Sequence, residues 1–263
     1  MSEVFLDDRG VLRVAGPDAT SFLQGLITND VEKLADGQWR YAALLTPQGK
    51  ILFDFLVLRE SAEALLIDAP ADKTAELAKR LGFYKLRAKA TITDESAALA
   101  VVVAPQGEPA DPRASGLGAR RIIARDAAPP ADLAARAAYE ARRIASGTPQ
   151  GGLDFAYGDA FPHDANMDLL GGVDFAKGCY VGQEVVSRMK HRGGIRKRVS
   201  RVRLDGAAPA PGAAILDGEL AVGHLGSSAG ETALALLRLD RAEEAAQAGR
   251  PLTVAGVRVT LVD

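Results

Sequence analysis

Lys177-Gly178-Cys179-Tyr180-Val181-Gly182-Gln183-Glu184 crowds a cation, a thiol, a phenol, an amide and a carboxylate between glycines, a mixture that neither a core nor a helix cap requires. The run lies in the most glycine-rich part of the chain, with ten of the 27 glycines falling between Gly147 and Gly194. Glycine at that density permits positive φ and close backbone approach but costs folding entropy. It therefore predicts a segment shaped by a ligand or by tight packing, the plain alternative being a long connector.

Upstream, the pattern is α+β. Val11 to Val14 reads as a strand, and Gly16-Pro17-Asp18 opens a helix with Phe22, Leu23, Leu26 and Ile27 on its apolar face, closed by Thr28-Asn29-Asp30 turn chemistry. Trp39 to Leu45 and Ile51 to Leu58 read as a hairpin across Thr46-Pro47-Gln48-Gly49-Lys50, followed by a strand from Ala64 to Ile67. A helix is expected over Asp72 to Leu81, strands over Leu86 to Thr93 and Leu99 to Val103, a surface loop from Pro105 to Gly118, and a strand over Arg120 to Ala124. Asp132 is the expected N-cap of a helix reaching Ser146, with Leu133, Ala137 and Ile144 facing inward. Glu184 falls in the first turn of a further helix running from Gly182 into Val185-Val186. Downstream, short strands spaced by turns (Val199 to Leu204, Glu219 to Gly223, Thr232 to Leu239, Pro251 to Val254, Val257 to Val262) predict a small antiparallel barrel beyond a boundary near residue 195. This order lacks the regular βαβ alternation of a doubly wound sheet.

Composition narrows the function classes. With 32 Lys+Arg against 34 Asp+Glu in 263 residues, the net charge is −2, so any polyanion binding must come from a local patch. The N-terminal MSEVFLDDRG and the short apolar runs argue against secretion and membrane insertion. One cysteine cannot form an intramolecular disulfide, and with three scattered histidines it makes no zinc spacing, which points to a reducing cytoplasm.

With Leu23-Gln24-Gly25…Thr28-Asn29-Asp30, Thr46-Pro47-Gln48-Gly49-Lys50, Tyr84-Lys85-Leu86-Arg87-Ala88-Lys89 and Arg192-Gly193-Gly194…Lys197-Arg198, the Lys177 to Glu184 run resembles the YgfZ family of folate-binding proteins. That family is related in fold to the aminomethyltransferase (T-protein) of the glycine cleavage system. The resemblance covers nearly the whole chain. It implies an α+β, T-protein-like fold: interlocked folate-binding domains over residues 1–194, the second about 47–115, and a C-terminal antiparallel β-barrel over 195–263. It further implies an accessory protein, non-catalytic or weakly catalytic, that binds tetrahydrofolate or a derivative and supports iron–sulfur cluster assembly or repair with client or assembly proteins.

Residue by residue, the ionised Glu184 carboxylate could accept the amino group and ring N–H that a pterin presents side by side, and the T-protein resemblance places a pterin-pairing glutamate here. The same residue also suits the first turn of a helix through the macrodipole. Cys179 reads either as a small buried hydrophobe or as a thiolate activated by Lys177 and the cations beyond. The resemblance implies a functional thiol, which could supply at most one ligand to a shared or transient iron–sulfur cluster. Asp54 matches one of the two acids that T-proteins carry; Phe53 replaces the other. It reads as a catalytic carboxylate or as a strand residue facing away from buried Phe53 and Phe55. Tyr139 matches an aromatic position near the folate, with core packing the alternative. Lys177, Tyr180 and Gln183 complete the expected folate contacts, and Arg192 belongs to a basic cradle for the glutamate tail. Asp7-Asp8-Arg9 stands where some relatives carry a tryptophan. Two other functions suit the same residues: a folate-dependent one-carbon transferase or demethylase using Asp54 and Glu184, and an RNA-interacting module using the basic run 188–198. The absence of any RNA-recognition, KH or zinc-knuckle signature argues against the latter.

Overall fold

The computed structural model describes residues 3–193 and 195–262, with the side chain of Arg192 outside the description. In chain order the elements are β1 (Val4–Phe5), β2 (Arg9–Ala15), α1 (Ala19–Gln24), β3 (Trp39–Leu45), β4 (Ile51–Ser61), β5 (Ala64–Pro70), α2 (Thr74–Tyr84), β6 (Thr91–Asp94), β7 (Leu99–Ala104), β8 (Ala119–Ala124), α3 (Leu133–Ala145) and α4 (Gln183–Arg192). The last third adds β9 (Lys197–Leu204), β10 (Ala214–Asp217), β11 (Leu220–Ala229), β12 (Thr232–Arg238), α5 (Leu239–Gln247), β13 (Leu252–Val254) and β14 (Val257–Leu261).

A five-stranded antiparallel sheet of order β3-β4-β5-β2-β6 forms the frame. Successive side chains on a strand point to opposite faces, and β4 uses both. Phe53, Phe55 and Val57 join Leu23, Ile27, Leu77 and Leu81 on one face, beneath α1 and α2. Ile51 and Leu56 join Trp39, Tyr41, Met167 and Tyr180 on the other, beneath the glycine-rich segment. Burial on both faces is why β4 reads as a nearly unbroken apolar run. A three-stranded sheet, β1-β7-β8, packs with Tyr139 of α3 against Val11 and Leu66 of the large sheet. The final strands close a six-stranded barrel of order β10-β11-β12-β9-β14-β13. No described helix is long and apolar enough to cross a membrane.

Two expectations change here. The strand anticipated from Leu86 begins only at Thr91, because residues 85–90 bend away and only then pair with β2. On α3, Asp132 does cap, accepting from the Ala134 and Ala135 amides, but Leu133 is 88% exposed and Ala137 is exposed; the inward face is Tyr139, Arg143 and Ile144. A buried arginine occupies a position that hydrophobic patterning would leave to an aliphatic residue.

Arg143 ties the barrel to the rest. Its guanidinium donates to Asp154 at 2.9 Å, to the Thr148 carbonyl at 2.8 Å and to Ser227 of β11 at 2.8 Å. Asp154 in turn accepts from the Ser227 amide at 2.7 Å. Removing one member of such a buried set strands the other charge, at a cost of roughly 3–5 kcal/mol. Arg143→Ala is accordingly expected to lower the unfolding free energy by about that amount, measured by urea denaturation, whereas the exposed Leu133→Ala should change it by less than about 0.5 kcal/mol.

Candidate functional site

The loop over residues 177–182 is built by three fixed points. Lys177 is buried, and its Nζ donates to the carbonyls of Gln24, Ile27 and Asn29 at 2.8, 2.7 and 2.8 Å. These are carbonyls at and just beyond the C-terminal end of α1, where a helix leaves acceptors unsatisfied. Burial pushes the Lys177 ammonium down to about 8, which leaves it protonated at neutral pH. Tyr180, also buried, packs with Tyr41 and Val186 on one face of the sheet, while Val181 packs against the core on the other. Burial pushes its phenol up to about 12, and its hydroxyl has no hydrogen-bond partner among the described residues. Gly182 is in the left-handed region at φ 81, and a Cβ there would lie 2.5 Å from the Thr46 carbonyl oxygen and 3.1 Å from Gly49 Cα. The Thr46 to Lys50 turn and the Gly182 backbone are therefore one packing unit, which explains why both short motifs occur in one chain.

Cys179 stands between these fixed points and is exposed. Glu184 begins α4 with its side chain 85% exposed and pairs with Arg188 one turn on. Glu184 lies in the first turn as expected and faces solvent, and it is not among the residues that line the cavity at Asp54. Gln183, partly buried, is the first residue of the same helix. Lys177 and Tyr180 are corrected from ligand contacts to scaffold, because the ammonium is consumed by three carbonyls and the phenol is covered by core. The predicted role of Arg192 falls on a side chain outside the described residues.

Asp54 and Tyr139 do meet, at the centre of the molecule. Asp54 is buried, accepting from the hydroxyls of Tyr41 at 3.0 Å and Tyr157 at 2.5 Å. The alternation that turns it away from Phe53 and Phe55 is as expected, yet the face it turns to is covered by the glycine-rich segment. A Cβ on Gly151 would lie 2.6 Å from Asp54 Oδ1, so glycine there permits the cover to close. The remaining cavity is about 20 Å³, bounded by Asp54, Tyr139, Arg113, Arg120 and Arg136 among others. Arg120 donates to Asp68 at 2.6 Å and to Asp111 at 3.2 Å, and Arg113 binds Asp111 through two nitrogens at 2.9 and 2.7 Å. Against the burial that would raise it, Arg113 and Arg120 hold the Asp111 carboxyl well below the usual carboxylate range.

Such a cavity admits about one water, whereas a pocket for a drug-sized ligand needs roughly 300–1,000 Å³. A folate does not fit it. Beyond Tyr41, whose ring lies 5.7 Å from the Arg113 guanidinium, an open cleft of about 510 Å³ is lined by Arg40, Tyr41, Phe175 and Lys190 among others. Sequence reasoning missed this cleft, and missed the arginines that fill the centre. The basic run is likewise not a free patch: Arg188 pairs with Glu184, Arg198 with Asp168 at 2.9 Å, and Lys190 lies 3.8 Å from the centre of the Phe175 ring. His163 is buried with both ring nitrogens unpartnered, and burial lowers its pKa. Among the described residues no His, Cys, Asp and Glu cluster could hold a metal ion.

Comparisons with known proteins bear on this geometry. Residues 7–117 match the GCVT N-terminal domain family, and residues 196–263 match the CAF17 C-terminal β-barrel domain family. The chain is 33% identical to the iron–sulfur cluster assembly factor IBA57, mitochondrial, of Mus musculus, with 89% of this chain and 76% of that protein covered. It is 32% identical to the Homo sapiens protein of the same name, with coverages of 88% and 76%. To the IBA57 homolog of Neurospora crassa it is 32% identical, and it spans only about half of that longer protein, 54%. The glycine cleavage system aminomethyltransferase T of Bartonella henselae shares the fold, with a TM-score of 0.73 over 99% of this chain and 84% of that one, at 16% identity. The T-protein-like architecture with its terminal barrel is thus as expected. The cytoplasmic expectation is overturned, since these assembly-factor relatives are named as mitochondrial. A lone cysteine reports a reducing surrounding, which is not peculiar to the cytoplasm.

Two outcomes follow from the loop's fixed points. Lys177→Met, which strands three carbonyls, is expected to destabilise the fold by about 2–4 kcal/mol. Gly182→Ala, strained in φ and crowded by the Thr46 carbonyl, should cost about 1–3 kcal/mol. Chemical denaturation measures both.

Proposed function

Since this chain belongs to the YgfZ/CAF17/IBA57 family of iron–sulfur cluster assembly factors, we propose that it supports iron–sulfur cluster assembly or repair by presenting Cys179 as a single ligand to a cluster completed by a partner protein. The observation that carries this reading is the contrast within one motif: Lys177, Tyr180 and Gly182 are locked, and Cys179 alone between them is an exposed nucleophile. Clusters of the common kinds take four cysteine ligands, so one thiol on this chain makes the cluster a shared one. A transferase or demethylase is disfavoured. Asp54 is held by two tyrosines beside a cavity of about 20 Å³ that Glu184, on the surface, does not line, so the two carboxylates act on no common volume. Cys179→Ser should leave the unfolding free energy within about 0.5 kcal/mol, as befits an exposed site, while abolishing rescue of iron–sulfur enzyme activity in cells lacking the protein. Full rescue by the variant would sink the proposal.

A tetrahydrofolate contact is a second reading, favoured by one feature: the cleft beside Phe175 has volume for a flat ring, and Arg40 and Lys190 carry no ion pair among the described residues. Calorimetric titration with a reduced folate separates the locations. If the cleft is used, Arg40→Ala weakens binding by about 1–3 kcal/mol and Glu184→Ala leaves it unchanged; no heat at millimolar folate ends this second reading and leaves the Cys179 proposal standing.

A further inference from the structure

The segment from Lys79 to Lys89 carries five Lys or Arg residues and no acid. It spans the last turns of α2 and the bend that replaces the expected strand. Three of its apolar side chains point outward: Phe83 is 61% exposed, Leu86 89% and Tyr84 37%. Among the described residues none of the five cations forms an ion pair, although Lys73, just before the same helix, pairs with Glu76. The local sequence could have buried this cluster. Leu77 and Leu81 face the core at helical spacing, and Ala90 is buried again as the chain returns to the sheet. Lys79 and Phe83, and likewise Arg80 and Tyr84, stand four apart, so cations and rings alternate over one surface.

From this juxtaposition we infer that residues 79–89 form a docking surface for an acidic protein partner whose face combines carboxylates with an apolar pocket for Leu86 and Phe83. Charge complementarity selects the acidic face, since five cations without ion pairs among the described residues would repel a basic face, gain nothing from a neutral one and steer an acidic one. The combination of Tyr84 with Arg80 and Arg87 has the composition of an interface hot spot, and Leu86 adds exposed apolar area beside it. A lipid surface is the poorer occupant: α2 turns its periodic apolar face, Leu77 and Leu81, to the core and so presents no continuous amphipathic face to a bilayer. Single-stranded nucleic acid would use the rings and cations but gain no stacking from Leu86, the most exposed apolar residue of the cluster. Only the partner's role in cluster chemistry rests on the function proposed above; the chemistry of its face does not.

The test places a photo-crosslinking amino acid at position 86 of the full-length protein in cells, and at exposed Leu133 on α3 as a control. Adducts specific to position 86 should be with a protein of net acidic charge. Purified, that protein should bind the wild-type chain with an affinity that falls about tenfold in Arg87→Glu and in Leu86→Ser, and that also weakens as salt rises from about 0.05 to about 0.3 M. Melting curves of both variants should match the wild type, because the altered side chains are exposed. Lipid or RNA adducts, the same proteins from position 133, no adduct, or unchanged affinity in both variants would overturn the docking surface. An acidic partner that meets the binding criteria but neither carries nor receives a cluster would uphold the surface while removing its link to cluster assembly.

Discussion

The architecture hangs on arginines that are buried where the sheets, α3 and the barrel converge. Taking a guanidinium out of water costs several kcal/mol unless every donor finds an acceptor in good geometry. Arg120 meets that condition only if Asp68 from β5, Asp111 from the long loop and the Tyr139 hydroxyl from α3 arrive together. Its backbone carbonyl is also committed, accepting from the Trp39 indole at 2.9 Å. Arg9 shares Asp68 from the other side at 2.6 Å, and Arg143 repeats the device toward the barrel. Each pairing fixes the relative position of elements that hydrophobic contact alone would let slide, since apolar burial is not directional. The net contribution to stability of such pairs is small; their contribution to a single arrangement is the larger effect.

Filling the centre with these pairs has a consequence for chemistry. The T-protein-like frame brings Asp54 and Tyr139 to the edge of one small volume. Here the volume left over is that of a water, and Tyr41 and Tyr157 occupy the Asp54 oxygens. A carboxylate already accepting two phenolic hydrogens beside a cavity of about 20 Å³ has little room for a donor substrate. Likeness of fold, at 16% identity, thus carries no inference about the reaction.

Much of the frame was legible because its signals are local and periodic. The hairpin of β3 and β4 was announced by two β-rich runs flanking a proline–glycine turn, and the barrel by strands at short intervals. Asp132 capped α3 as its side-chain type demands. What was not legible depends on distant partners. Nothing near Arg143 or Arg120 in sequence says that each will find a carboxylate inside the protein; pattern reading assigns such residues to solvent. Leu133 was read inward by its apolarity, yet the helix turns so that Arg143 is inside. Thr28 and Asn29 read as simple turn residues, but they are buried staples: Asn29 bonds the carbonyls of Tyr41 and Gly171, and Thr28 that of Gly172. The helix ends at Gln24, short of the turn expected to close it, and the glycine partners some 140 residues away leave no trace in the local sequence.

The Lys177 to Glu184 run shows the same division within eight residues. Its unusual composition signals constraint, and composition alone cannot separate constraint by a ligand from constraint by packing. The structure divides the labour. Lys177 satisfies the end of α1, Tyr180 and Val181 pin the loop to opposite faces of one sheet, and Gly182 lets it lie against the hairpin turn. A loop so anchored spends little further conformational entropy when a partner meets the thiol at its crest, because its backbone is ordered before the encounter. An unanchored cysteine would have to be immobilised by the partner itself. Rigid neighbours and one exposed sulfur are what the shared ligand position proposed for Cys179 requires, and the three carbonyls that Lys177 satisfies hold that polar residue inside the protein two positions from the thiol.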